Sequence, residues 1–455
     1  MSFQVLIIAD DVVGRRMAGP GIRAWEIARV LATDFSVRLF APDTSDRLPP
    51  GPPGPELEYY PPDGGELLAR AARQADVVYV QGFVLQKFPQ LEATERPILV
   101  DLYVPFVLEN MFHHRSRHAD PGVLRAASRH DAAVWTRQLE RGNLFLVANR
   151  AQHDLVLGAL LALGKIDPQA ALAGLTHSLL TVPFGVQEGE LPVVDRAALR
   201  RGLGLPEDAF FLLWGGVLTD WFDPLTLLDA MARLRGQTPP VHLLFLSTGH
   251  ANPDLPPFAM AARARARARE LGLDGETVHF HEGWVPYGER GKFFAAADAG
   301  VSISPVHLET RYSFRTRFLD YLRFGLPIVA TGGDPLALDL AERGCLREVP
   351  QRDAQALAEA IRTLATDPGR RVALAAAARR AAEDYCWSKV VAPLAETLRG
   401  LQSDPARLGM LPDLSGPRIR GGGRVKAALR RIPWVRRAAH SRWWIRLRAL
   451  GEGGR

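Results

Sequence analysis

Twice along this chain, short apolar runs of strand length alternate with segments of helical period, and few folds accommodate that pattern. In the first half the runs are Phe3–Ala9, Val37–Ala41, Asp76–Val80 and Ile98–Leu102, with helical stretches between them that begin at Ile22–Ala32. In the second half they are Phe210–Trp214, His242–Ser247, Val278–His281, Gly300–Ser304 and Pro327–Ala330. Helical stretches at Leu225–Leu234, Phe258–Leu271, Arg290–Ala297 and Phe314–Phe324 separate these. A strand apolar throughout is buried on both faces, as in a parallel sheet covered by helices. The expected fold class is α/β, with two doubly wound Rossmann-like domains facing a cleft. The 455 residues suit two such cores. The alternation breaks at Thr181–Asp195, where Pro183, Gly185, Gly189 and Pro192 mark a linker. The Pro/Gly-rich stretch Leu48–Gly65 reads as a surface loop, because the alternation resumes after it.

Charge is unevenly spread. From Pro417 to Arg455 there are twelve Lys or Arg and one acid, Glu452, leaving the rest of the chain five negative against a total of +6. A basic tail on a mildly acidic body speaks of a partner for the tail rather than of the chemistry. Cys345 and Cys386 cannot build a disulfide framework and lack metal-ligand spacing, so a cytoplasmic setting is expected. The apolar start is too short for a signal peptide, and no run reaches the roughly 18 apolar residues of a membrane span.

In open α/β sheets, ligands sit at the carboxyl ends of strands, where helix N-termini present unpaired N–H groups to anions. Gly19-Pro20-Gly21-Ile22-Arg23 lies before a helix and shortly after the first strand. Gly19 and Gly21 fit a backbone that approaches a diphosphate, and equally a plain glycine turn into a helix. The second place is Ser302–Gly325, with Ser313 as the expected N-cap and Gly325 as the stop. Helical spacing gathers Phe314, Phe318, Leu319 and Leu322 on one face and Thr316, Arg317 and Asp320 on the other. Arg315 and Arg317 suit a diphosphate leaving group, and Asp320 suits ribose hydroxyls. The alternative is a set of surface ion pairs among Arg317, Asp320 and Arg323. Asp101, at the end of a first-domain strand, suits an acceptor-side base or a loop-bracing aspartate. Glu309 suits a donor-sugar contact or a simple loop acid. His113, His114 and His118 read as surface or packing histidines, and the alternating arginines Arg263 to Arg269 as a solvated helix. No histidine–carboxylate cluster has metal-ligand spacing, and no nucleophile elbow occurs.

Several stretches resemble GT-B glycosyltransferases of the retaining family 4: Gly283-Trp284-Val285-Pro286-Tyr287, Phe293–Ser302, Asp320–Thr331, the interdomain-like Val182–Val186, and Tyr385-Cys386-Trp387-Ser388, where such chains cross back to the first domain. The resemblance covers about residues 3 to 400. It implies a GT-B fold with an acceptor-side domain at 1–182, a linker at 183–195 and a nucleotide-sugar donor domain at 196–384. A crossing-back helix follows at 385–415 and a basic amphipathic tail at 416–455. It further implies a metal-independent hexosyl- or deoxyhexosyltransferase that retains anomeric configuration, with a nucleotide-diphosphate sugar as substrate and no cofactor. Gly216 and Val285 join the expected donor contacts. This chain departs from the pattern in two ways. Asp320 and Tyr312 stand where two glutamates are usual, and Gly215-Gly216-Val217…Trp221-Phe222-Asp223-Pro224 replaces the usual cation pair. A divergent member is therefore expected, with Arg315 and Arg317 supplying the missing charge and a glycan or lipid-linked acceptor in surface polysaccharide assembly. The alternative is a catalytically silent nucleotide- or glycan-binding module.

In the tail, Gly421-Gly422-Gly423 reads as a hinge, and tryptophans interleave with arginines through Trp434 and Arg442-Trp443-Trp444-Ile445-Arg446. That composition suits an anionic bilayer, which would place the protein peripherally on the inner face of the plasma membrane. A tail without a partner is the plainer alternative. Nucleic acid is disfavoured, since no basic groove continues the footprint onto the body.

Overall fold

Uninterrupted runs such as Val5-Leu6-Ile7-Ile8, at most 3% exposed, can only be interior strands, and the architecture follows from them. The computed structural model describes residues 3–404 except 45, 49–53, 118–119, 167–177, 250 and 252–257, so the basic tail lies outside the described residues. The first sheet contains β1 (Gln4–Ile8), β2 (Ser36–Pro42), β3 (Glu56–Tyr60), β4 (Val77–Gln81), β5 (Ile98–Asp101), β6 (Leu144–Val147) and β7 (Leu179–Thr181). Its helices are α1 (Gly19–Leu31), α2 (Gly65–Gln74), α3 (Val84–Lys87), α4 (Phe106–Arg117), α5 (Pro121–Arg141) and α6 (Arg150–Ala162). The second sheet contains β8 (Phe210–Val217), β9 (Val241–Ser247), β10 (Val278–Phe280), β11 (Ala299–Ser302), β12 (Ile328–Thr331) and β13 (Leu346–Val349). With it come α7 (Arg196–Gly202), α8 (Pro224–Arg233), α9 (Ala259–Glu270), α10 (Gly291–Ala296), α11 (Arg317–Arg323), α12 (Pro335–Glu342), α13 (Ala354–Thr366), α14 (Pro368–Ala382) and α15 (Trp387–Ser403).

Both sheets are parallel, in the orders β3-β2-β1-β4-β5-β6-β7 and β10-β9-β8-β11-β12-β13. In each, the direction of winding reverses beside the first strand, between β1 and β4 and between β8 and β11. Those two switch points are where a doubly wound sheet leaves a crevice. Aspartates start the second domain's helices. Asp195, Asp223, Asp334, Asp353 and Asp367 each accept a backbone N–H from the first turn, and three of them precede a proline, which needs no such partner.

Two expectations need correction. The stretch Leu48–Gly65 is not all loop, because β3 within it pairs in parallel with β2 from Arg38↔Glu56 to Pro42↔Tyr60. It is an edge strand, and its glutamates pair with Arg38 instead of facing a core, so no apolar run announces it. Helix α11 begins at Arg317 rather than Phe314, after a single tight turn at Thr310–Tyr312. Ser313 is not its cap: the hydroxyl donates to Thr310 O at 3.0 Å.

The chain passes between domains at 182–195 and returns at Cys386. The two crossings touch: Val186 and Cys386 form a parallel bridge, Val186 N donates to Tyr385 O and Trp387 N to Val186 O. Phe184 packs on the fully buried Trp387 at 4.9 Å between ring centres. A Cβ on Gly185 would lie 2.5 Å from the Trp387 indole. Helix α15 then lies along α1 of the first domain. Gly185→Ala should therefore destabilise the protein by about 1–3 kcal/mol, as overpacking of a filled core does. Urea unfolding checks this, and an unchanged midpoint would mean that the crossing is looser than described.

Candidate functional site

At the second domain's switch point one tyrosine fixes the geometry. Tyr321 on α11 is fully buried, and its hydroxyl accepts from Gly215 N at 2.8 Å and lies 3.0 Å from both Leu213 O and Val301 O. It can donate to one of these carbonyls at a time. The contact pins α11 over the junction of β8 and β11. Gly300 makes it possible, since a Cβ there would sit 2.5 Å from the tyrosine ring.

One turn before Tyr321, Arg317 is carried to the end of β8. Its guanidinium lies 4.0 Å from the ring centre of Phe222 and 4.7 Å from that of Trp214. Nη2 donates to Val217 O at 3.3 Å, and Nη1 is buried without a hydrogen-bond partner. A Cβ on Gly216 would be 3.6 Å from Nη2, so Gly216 and Arg317 are brought together. Among the described residues no carboxylate pairs with this cation. Burial pushes its pKa down to about 10; Tyr321 opposes that shift and Arg315 adds to it. An arginine held by aromatic faces and a carbonyl, with a donor left over, is short of an anion.

Arg315 is placed differently. Its Nε is 2.8 Å from Asp334 Oδ2, and both side chains are buried. Asp334 in turn caps α12 through Ala337 N at 2.9 Å. Arg315 thus stands against a structural acid, which Arg317 does not, although its Nη1 is also buried without a hydrogen-bond partner. Beside it lies Glu309, 3% exposed, with His307 Nδ1 3.6 Å from its Oε2. Burial raises the Glu309 carboxyl to about 7, with Arg315 opposing and Asp334 adding. Burial and then Arg315 lower His307 to about 4, so this imidazole is neutral near pH 7. From the first domain Glu109 on α4 faces this group, its carboxyl raised to about 8 by burial and then by Glu309. Across the cleft, two carboxyl groups thus resist ionising together.

Asp320 accepts from Arg290 Nη2 through Oδ1 at 2.9 Å, and Arg290 stacks 4.4 Å over the ring of Tyr287. Burial raises the Asp320 carboxyl against the pull of Arg290 and Arg323. Thr316 occupies the N-cap position of α11 without a capping hydrogen bond. Val285 is buried two residues before Tyr287, whose backbone N donates to Arg15 O of the first domain. The second domain thus gathers Gly216, Glu309, Thr316, Arg317 and Asp320 around α11, with Val285 at the edge that meets the first domain.

The first-domain residues serve the frame. A Cβ on Gly21 would lie 2.0 Å from Val12 O and one on Gly19 3.4 Å from the Tyr103 hydroxyl. Gly21 is therefore demanded by the packing of α1 under the β1 loop. Asp101 does not open onto the cleft. Its carboxylate takes both Nε (2.7 Å) and Nη2 (3.0 Å) of Arg23, and also accepts from Tyr79 and from Gln81 at 3.2 Å. Both side chains of the ion pair are fully shielded. Burial works against the Arg23 charge, but Asp101 carries its pKa above the ordinary value. A carboxylate enclosed in this way braces its strand instead of receiving a substrate proton. His114 pairs with Asp131 at 3.0 Å.

Sequence reasoning missed Glu109, Asp334, Arg290 and Arg23. Asp334-Pro335 carried a readable helix-start signature. Glu109 carried none, since its role depends on what the other domain places opposite it.

Residues 211–367 match the family model described as glycosyl transferases group 1. A D-inositol 3-phosphate glycosyltransferase of Saccharomonospora viridis is 29% identical over 221 residues, 48% of this chain and 49% of that protein. The chain spans about half the length of this and similar curated relatives. Sucrose-phosphate synthase of Thermosynechococcus elongatus superposes with a TM-score of 0.62 at 19% identity, covering 88% of this chain and 99% of that one. Anabaena HepE, in complex with UDP and glucose, gives 0.62 at 17% identity, covering 88% and 100%. At such identities the structures establish the fold, which is GT-B. The chain thus has the GT-B fold, and its second domain carries the match to the glycosyl transferases group 1 model.

Proposed function

We propose that this protein is a retaining, metal-independent glycosyltransferase. It moves a hexosyl or deoxyhexosyl group from a nucleotide-diphosphate donor to a glycan or lipid-linked acceptor in surface polysaccharide assembly. The observation that carries the reading is Arg317: a desolvated guanidinium with an unfilled donor, beside Gly216 at the switch point of a group 1 glycosyl transferase domain. In the transfer, the bond from the sugar's anomeric carbon to the diphosphate breaks and its electron pair stays on the diphosphate oxygen. The acceptor oxygen bonds to the same carbon from the same face, and its proton passes to the departing phosphate. A fixed cation where that charge develops lowers the barrier, because no solvent must reorganise to meet it. Asp320 keeps Oδ2 for the donor's ribose, and Thr316 and Glu309 flank the sugar. Bound UDP in the structurally similar HepE supports a nucleotide-sugar donor here.

Asp101 acts through position, setting β5 and the loop after it, and Glu109 is a first-domain acid that faces Glu309. The tail would hold the enzyme at an anionic bilayer, each basic residue near the surface adding about 1 kcal/mol. No helix among the described residues is long and apolar enough to cross a membrane. A silent binding module is the second reading, favoured by the neutralisation of Arg315 by Asp334.

Calorimetry with UDP, GDP and the other common nucleoside diphosphates tests the donor site. Arg317→Ala should fold normally and weaken binding at least about tenfold, or ~1.4 kcal/mol. Tight binding that survives this change would remove Arg317 from the site. Arg315→Ala should instead lower stability by about 3 kcal/mol, since it leaves Asp334 buried and unpaired. Turnover of a bound donor separates the enzyme from the silent module.

Glu309 makes a prediction about pH. Its folded pKa is raised, so its stabilising contribution is complete below the unfolded value of 4.5 and is lost as pH rises through about 7. Glu309→Gln should therefore gain on the parent protein by roughly 2 kcal/mol between pH 5 and pH 8. Thermal melts at the two pH values measure this, and a constant difference would contradict the burial described.

A further inference from the structure

Asp320 belongs to a closed circuit of contacts that runs through both domains and the linker. On one side Arg290 donates to Asp320 at 2.9 Å and stacks on Tyr287 at 4.4 Å. The Tyr287 hydroxyl donates to Glu26 Oε1 on α1 of the first domain at 3.2 Å. Glu26 is 1% exposed and also accepts from Gln187 of the linker at 2.9 Å and from Arg29 at 2.9 Å. Gln187 then accepts from Arg323 Nη1 at 2.8 Å, and Arg323 stands one turn from Asp320 on α11. The circuit closes electrostatically, because Arg290 and Arg323 are the two cations that act on Asp320.

We infer that Glu26 and Tyr287 are positioning residues that tie the orientation of Asp320 to the closed arrangement of the two domains. Neither touches the place proposed for the donor. Glu26 fixes the Tyr287 ring, the ring fixes the plane of Arg290, and Arg290 decides which Asp320 oxygen remains for a ribose hydroxyl. Separating the domains breaks the Tyr287–Glu26 bond, while Gln187, beside the hinge residue Val186, holds Glu26 and Arg323 at the hinge. The ring beneath Arg290 is then no longer fixed, and Asp320 loses its set geometry. Donor affinity and domain closure are thereby coupled through named side chains. The inference rests on the donor reading of Asp320 and goes beyond it by adding first-domain control.

Tyr287→Phe deletes one hydroxyl and keeps the ring under Arg290, so it isolates the link. In calorimetry with UDP and GDP on the full chain, Tyr287→Phe and Glu26→Gln should each raise the Kd about tenfold. Asp320→Asn should raise it as much or more, and Tyr287→Phe/Asp320→Asn should bind no worse than Asp320→Asn alone. In the same variants, amides of α11 and of the segment Arg15–Glu26 should exchange with deuterium faster than in the parent. A contact that serves only interface stability would give multiplicative losses in the double variant, and that result, or an unchanged Kd in Tyr287→Phe, overturns the inference. If the parent chain binds neither nucleotide, the donor reading falls. Exchange then decides the clasp alone: faster exchange at α11 in Tyr287→Phe upholds it, and unchanged exchange removes it.

Discussion

The buried pair of Arg23 and Asp101 is the contact on which the first domain's half of the cleft depends. Its members come from α1 and β5, and Tyr79 and Gln81 of β4 close around the carboxylate. Arg23 also donates to Pro183 O in the interdomain segment at 3.0 Å and stacks 4.6 Å from the Tyr103 ring. One guanidinium thus holds together the first helix, two central strands and the start of the linker. Neither charge reaches water, so each is tolerable only because the other is present. Such pairs add little net stability compared with apolar residues of the same volume. What this one supplies is a single allowed geometry at the point where the chain leaves the domain.

The second domain solves the matching problem without charge. Tyr321 sets α11 through three backbone groups, and two glycines, Gly215 and Gly300, clear the space for packed rings. Everything proposed for the donor then follows from where α11 sits. Arg317 falls against Trp214 and Phe222 because it is one turn before Tyr321, and Asp320 falls toward Arg290 because it is the residue beside it. The site's chemistry is thus a by-product of one packing decision, and changes to the tyrosine should disturb the cation and the acid together.

How much of this was legible in the sequence varied with the kind of signal. Interior strands announce themselves through apolar runs, and β1, β2, β4, β5 and β8 to β12 were readable for that reason. The edge strand β3 was not, since its glutamates are satisfied by Arg38 on the neighbouring strand and not by a core. Gly325 was readable as a helix stop, and its φ of +62° is the left-handed conformation that a glycine there supplies. The first turn of α11 was misread because Ser313 resembles a cap in isolation, while its hydroxyl has a nearer carbonyl at Thr310. Arg315 and Arg317 look alike in sequence. Only the distant Asp334 distinguishes them, by neutralising one and leaving the other. Asp101 shows the same limit, because the residue that encloses it stands 78 positions earlier.

The two chain crossings between the domains lie against each other, with Val186 bridged to Cys386 and Phe184 packed on Trp387. Two separate tethers would let one domain slide and swivel over the other. Two tethers fused at a single line form one seam, so the segment entering the second domain and the helix leaving it cannot be displaced independently of each other. Away from that seam the domains are also joined by Tyr287 to Glu26 and Arg15, by Asn149 to Ser313 O and by Gln152 to Tyr312 O, so the seam and these contacts together fix the cleft as a single joint with two edges.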